Sequence, residues 1–237
     1  MSTPTNKLLE AFIGKTVQEA FASLPEKLVL PDFKNYAQQV AEAYTNAPSF
    51  DPKAVPAWNA LIAHTEKVLF PKIDAQVKKI YKAKNPEYAT NPDGGGFQIV
   101  NFHPYADAKE MTDEVMNKGI FRVSSADSEH PLWSVEQNVK FRAVHDWYTH
   151  IINKSSFSLR GELRAYNAHA KLLPPAAVPA AFTEIVGQAC TAIVNGGAFS
   201  EQKIALLPQF DYYNVGKVKE PQPASPDGDK KEVAPVR

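Results

Sequence analysis

Four of the six histidines, His130, His145, His150 and His169, fall within a stretch of forty residues. Asp146, Glu162 and Glu184 lie among or just beyond them. Imidazole and carboxylate are the ligands suited to iron, zinc or manganese, and a mononuclear site for oxygen chemistry uses two histidines and one carboxylate on one face, leaving the opposite positions open. Spacing constrains the reading. His145 and His150 are five residues apart, which puts them roughly 140° apart around a straight α-helix. Asp146 and His150 are four apart and share a face. Either the helix is distorted at Tyr148-Thr149 and both histidines reach one metal, or Asp146 and His150 act together and His145 does something else.

The carboxylates differ in their surroundings. Glu184 has apolar neighbours in Ala180, Ala181, Ile185 and Val186, where burying it costs several kcal/mol unless it is paired or ligated. Gln188, one turn on, is its simplest partner. Glu162 lies near Arg160 and Arg164, so a salt-bridged surface residue competes with a ligand. His169 follows Glu162 by seven residues on the same face, and a buried Glu–His hydrogen bond would account for both. Arg122 follows a strand-like run and is suited to holding a carboxylate with two parallel hydrogen bonds; a structural ion pair is the competing role. Trp133, Trp147, Tyr148, Phe157 and Tyr166 either line an aromatic pocket or pack the core. The single cysteine, Cys190, sits in an apolar run and reads as a small buried hydrophobe. Neither a Gly-x-Ser-x-Gly elbow nor a Cys–His pair competes.

The sequence predicts a mainly α protein, a helical domain with a small strand–helix–strand insert. Apolar stripes run through Leu8, Leu9, Phe12 and Ile13, then through Phe33, Tyr36, Ala37, Val40 and Tyr44. A third joins Trp58, Leu61, Ile62, Val68 and Leu69 and continues past Pro71 through Ile73, Val77 and Ile80. Asn91 to Gly96 breaks the pattern, and no Gly-Lys-Ser/Thr follows to make a phosphate cradle. Phe97 to Phe102 alternates like a strand, Ala108 to Lys118 reads as a helix stopped by Gly119, and Ile120 to Val123 reads as a second strand, parallel to the first. Ser134 and Gln137 have capping-box spacing ahead of an apolar face of Val135, Val139, Val144, Trp147, Tyr148, Ile151 and Ile152. Helices are expected from about 159 to 173 and from about 177 to 194. Residues 1–216 are read as one domain, with the metal-site half at about 97–210. The proline-rich stretch 217–237 cannot bury enough apolar area to order itself.

Composition narrows the partners. Lys plus Arg and Asp plus Glu both total 26, so the formal net charge is zero and no global basic field gathers nucleic acid or an anionic membrane. The start of the chain lacks signal-peptide order, no apolar run is long enough to span a bilayer, and a lone cysteine forms no internal disulfide. The expectation is a cytoplasmic protein with a small-molecule substrate, without nucleic-acid or membrane partners.

The segment His145-Asp146-Trp147-Tyr148-Thr149-His150 resembles the His-Asp/Glu-x-x-Gly-His segment of the aromatic amino acid hydroxylases, with Thr149 at the family's glycine. The resemblance spans about residues 121–187. It implies a non-haem iron on His145 and His150, with a third ligand from a glutamate on a later helix, for which Glu184 in Phe182-Thr183-Glu184-Ile185-Val186-Gly187 is the match. Arg122, followed by His130-Pro131-Leu132-Trp133-Ser134-Val135-Glu136, is similar to the family's stretch in which an arginine holds the substrate carboxylate. No pterin pocket is placed by the sequence. The same region is similar to uncharacterised phage and actinobacterial proteins with a Phe-Arg-x-x-His-Asp core, here Phe141 to Asp146, and a following Gly-Glu.

The expectation is therefore an iron(II) enzyme with His145, His150 and Glu184 as ligands, acting on a small carboxylate-bearing substrate. Arg122 and Trp133 would contact that substrate, and Asp146 and Glu162 would serve as acid–base groups. With zinc on the same ligands, Glu162 or Asp146 would act as general base for hydrolysis. The rival is a non-catalytic virion or assembly component with a buried His–Glu network, or a structural metal closed by His169.

Overall fold

A computed structural model describes residues 33–86, 95–197 and 199–215. The Leu8–Ile13 stripe and the proline-rich stretch 217–237 lie outside the described residues. The architecture is mainly helical, with a small two-stranded parallel sheet set between helices. Helix α1, Phe33–Asn46, buries Tyr36, Ala37, Val40 and Tyr44 as its periodicity requires. Its last carbonyls need partners, and Lys203 Nζ donates to the carbonyls of Thr45 at 2.8 Å and Ala47 at 2.7 Å.

Helix α2, Val55–His64, continues through a π-helical turn, Thr65–Leu69, into α3, Phe70–Lys84. Pro71 follows that turn closely, and a proline ring clashes with the carbonyl four residues back in a regular helix. The wider turn absorbs the clash. It also rotates Val68 outward to 36% exposure, away from the stripe in which its spacing placed it, while Trp58, Leu61, Ile73, Val77 and Ile80 stay buried.

The insert is β1, Phe97–Val100, then α4, Ala108–Lys118, then β2, Phe121–Ser124. The strands pair in parallel, Phe97 with Phe121 through Val100 with Ser124, as the strand–helix–strand order predicted. Asp107 caps α4 by accepting from the Glu110 amide, and Gly119 ends it at φ 71°. A side chain there would bring Cβ within 2.5 Å of Tyr81 Cα, so the position needs glycine on two counts.

Helix α5, Val135–His145, opens with the predicted capping box between Ser134 and Gln137, though Val135 itself is exposed. It runs into a second π-helical turn, Asp146–Ile152. Helix α6, Leu159–Ala170, follows a short loop. The last long helix is built in three parts: α7, Val178–Ala181, a third π-helical turn, Phe182–Gly187, and α8, Gln188–Val194. It packs on α1, closely enough at Gly187 that an added Cβ would lie 2.6 Å from Tyr44 Cδ2. No helix of the described residues is long and apolar enough to cross a membrane.

Candidate metal centre

The second π-helical turn answers the spacing question. In a π-helix the backbone hydrogen bonds run from residue i to i+5, so side chains five apart stack on one face. His145 and His150 accordingly point the same way, with their Nε2 atoms 3.1 Å apart. Glu162, in the first turn of α6, completes a triangle: its Oε2 is 3.3 Å from His145 Nε2 and its Oε1 is 3.5 Å from His150 Nε2. Bonds of about 2.1 Å to one ion require ligand atoms about 3.0 to 3.4 Å apart, for octahedral and tetrahedral geometry respectively. The three edges fall close to that range. Among the described residues this is the group with metal-ligand chemistry and spacing.

The tautomer of His150 is set from behind. Its Nδ1–H donates to the Ser155 carbonyl at 2.9 Å, which leaves the Nε2 lone pair facing the cluster, the arrangement by which backbone carbonyls orient metal-binding histidines. Ser155 is held there by a return contact, its amide donating to the Thr149 carbonyl at 3.1 Å. Gly161 lets this loop lie against the start of α6, since a Cβ at that position would sit 1.8 Å from the Ser156 carbonyl oxygen.

Charges in the triangle are interlocked. Burial works to raise the Glu162 carboxyl, but the hydrogen bond from His145 and the charges of both histidines hold it below its ordinary range. Burial lowers His150. Burial also pulls His145 down, yet the Glu162 hydrogen bond and charge carry it upward. Asp146 is raised by burial against the opposing pull of His150 and His145.

The sequence-derived residues divide sharply. His145 and His150 meet as expected. The carboxylate that joins them is Glu162, and Glu184 stands outside their triangle. Burial lifts the Glu184 carboxyl to about 8 against the pull of Gln188 and Arg142, and its Oε2 is buried without a hydrogen-bond partner. Glu162 reaches the histidines because α6 packs directly against the π turn that carries His150. The Gly161-Glu162 pair was visible in the sequence, but with Arg160 and Arg164 beside it a surface ion pair competed equally with a ligand, and Glu162 was expected as an acid–base group. Arg122 is engaged within the chain: its Nη1 donates to both carboxylate oxygens of Glu114, and its Nε to Gln98 Oε1 at 3.2 Å. Trp133 is a core residue, stacked on His130 at 4.2 Å and packed against Trp58 and Phe141. His169 is wholly buried, its ring 5.8 Å from that of His145, with neither nitrogen hydrogen-bonded, and it is not part of the ligand triangle.

One side of the triangle opens into a cavity of about 820 Å³, lined also by Asp146, Glu184, Phe141, Phe157 and Ile185. Arg142 borders it with its guanidinium turned to the backbone, Nη1 donating to the carbonyls of Ser124 at 3.3 Å and Ala126 at 2.7 Å, and Nη2 to that of Asp127 at 2.6 Å. Compared with protein-family profiles, curated proteins and solved structures, the chain matches none.

Proposed function

We propose that this chain is a mononuclear metal-dependent enzyme in which His145, His150 and Glu162 hold one iron(II) ion beside the cavity. The observation that carries the reading is the triangle itself: two imidazole nitrogens and a carboxylate, edges of 3.1 to 3.5 Å, with one side left to a pocket large enough for a small organic molecule. Two histidines and a carboxylate with open positions are the ligand set of non-haem iron(II) oxygenases. An iron ion so held supplies dioxygen activation. The chain's own contribution is to fix the His150 tautomer through Ser155, keep Glu162 ionised, and wall the site with apolar side chains. Zinc suits the same three ligands and would supply hydrolytic chemistry there; Asp146, which lines the cavity beside them, would accept the proton of the attacking water.

The test is anaerobic iron(II) titration with elemental analysis of tag-free protein. One metal per chain is expected for the wild type and for Glu184→Gln, with retention lost in Glu162→Ala. Nitric oxide added to the iron-loaded protein should give the paramagnetic signal of an iron with an open coordination position. Absence of metal binding, or loss in Glu184→Gln with retention in Glu162→Ala, overturns the assignment.

A further inference from the structure

The cavity beside the triangle carries information about what it accepts. About half of its walls are apolar and aromatic side chains, among them Tyr105, Met111, Val123, Phe141, Phe157 and Ile185, and these face the polar edge that carries the triangle and Glu184. The arginines on its border are committed elsewhere. Arg122 is saturated on its Nη1 edge by both oxygens of Glu114 and on Nε by Gln98. Arg142 spends its donors on three backbone carbonyls of residues 124, 126 and 127. A substrate carboxylate entering this space would leave water without a guanidinium ready to receive it, and burying an unpaired charge is strongly unfavourable. Glu184 Oε2 is buried and without a partner on a residue that lines the cavity, and so are Gln188 Nε2, one turn on, and Gln202 Oε1. An orphaned buried oxygen of this kind calls for a partner that the folded chain does not provide.

From these contacts we infer that the cavity binds an uncharged, largely apolar molecule whose single polar group, an amide, carbonyl or hydroxyl, hydrogen-bonds to Glu184. Glu184 is thereby a specificity residue and not a metal ligand. Burial keeps its carboxyl protonated at neutral pH, so it presents both an O–H donor and a carbonyl acceptor, which is the pairing an amide satisfies. The inference deepens the metal-site reading and shares its cavity, yet it depends on wall chemistry that metal-free protein also has.

The experiment uses the full chain without metal and titrates 2-phenylacetamide, phenylacetate and 2-phenylethylamine, which share a ring and linker and differ in charge. Removing metal prevents phenylacetate from binding as a ligand to the ion. The amide is expected to bind at least about tenfold tighter than either charged probe, in line with the cost of an unpaired buried charge. Glu184→Gln, which keeps a donor and an acceptor, should stay within about threefold of wild type; Glu184→Ala should lose about tenfold for the amide. Iron titration of each variant runs in parallel. Intact metal binding with no preference for the amide, with tighter binding of phenylacetate, or with no effect of Glu184→Ala overturns this inference and leaves the metal site standing. Loss of metal binding in wild-type protein with the amide preference intact overturns the metal site and leaves the cavity's selectivity.

Discussion

His150 gives its Nδ1 proton to the carbonyl of Ser155, 2.9 Å away, and that bond determines which imidazole nitrogen Glu162 and His145 meet. The carbonyl is delivered by a loop that lies against the first turn of α6 at Gly161, where a Cβ would come within 1.8 Å of the Ser156 oxygen. Gly161→Ala must therefore displace backbone, in a loop adjoining both His150's partner and Glu162. The expected outcome is metal affinity lowered by about ten- to a hundredfold, the scale of losing a partner behind a ligand, with all three ligands still present. Isothermal titration with zinc(II) reads it. Unchanged affinity would mean that the loop does not set the His150 orientation.

Arg122 and Glu114 form an ion pair in which the Glu114 side chain is only 9% exposed. Tyr105 completes it, its hydroxyl donating to Glu114 at 3.1 Å and accepting from the Arg122 amide at 2.9 Å. Stranding a buried carboxylate costs about 3–5 kcal/mol, but Glu114 keeps Lys118 Nζ at 3.3 Å and the Tyr105 hydroxyl, and Arg122 is partly open to solvent, so removing the guanidinium costs about 2 kcal/mol. Arg122→Met should lower the urea midpoint accordingly while zinc(II) affinity stays within about twofold. A variant as stable as wild type that fails to bind the neutral amide probe would return Arg122 to a substrate role.

Glu184 makes stability depend on pH in a direction opposite to that of a salt-bridged acid. Its folded carboxyl is raised from 4.5 to about 8 by burial. The folded state thus holds the proton more tightly than the unfolded chain. Stability from this group is full below about pH 4.5 and declines as pH rises toward 8. Glu184→Gln removes the titration, so its melting temperature relative to metal-free wild type should rise between pH 5 and pH 8. The upper limit of the difference is about 5 kcal/mol. A constant offset across that range would show that the carboxyl ionises freely.

His130 supplies the opposite sign. Burial brings it down to about 4, and its Nδ1 accepts from the amides of Leu132 at 3.1 Å and Trp133 at 3.0 Å. Protonation there turns an acceptor into a donor facing two other donors. Its contribution is present above about pH 6.5 and is lost as pH falls toward 4. His130→Phe should be less stable than wild type at pH 7, with the gap narrowing by pH 4 in thermal melts.

The helical class, the Ser134 capping box and the Gly119 stop were all legible in the sequence, because each rests on interactions within a few residues of chain, and the parallel pairing of Phe97 with Phe121 followed from the helix that connects the strands. The two histidines of the cluster were legible as residue types, and their convergence was expected from the resemblance and from a helix distorted at Tyr148-Thr149, but spacing alone did not establish it. It depends on a π-helical turn, and no local pattern separates Asp146–Ile152 from ordinary helix. Glu162 stands with the histidines where Glu184 was expected, for a related reason. Apolar neighbours mark Glu184 as buried, yet burial says nothing about what stands opposite, and only the packing of α6 on the π turn brings Glu162 to the histidines. Val68 shows the same limit, since a single wider turn rotates it out of its stripe.

Counted along the chain, the π turn at Asp146–Ile152 amounts to one residue more than an α-helix needs between its two ends. Excising Thr149 would leave the histidines four apart, a separation that α-helical geometry already stacks, and would return the following residues to the register they now occupy. The site should thus tolerate a change in length that would scramble a helix built without the bulge. Shortening by one residue should preserve the relation between the two imidazoles, whereas adding one should destroy it. Deletion and insertion variants, compared by zinc(II) stoichiometry, make the asymmetry measurable.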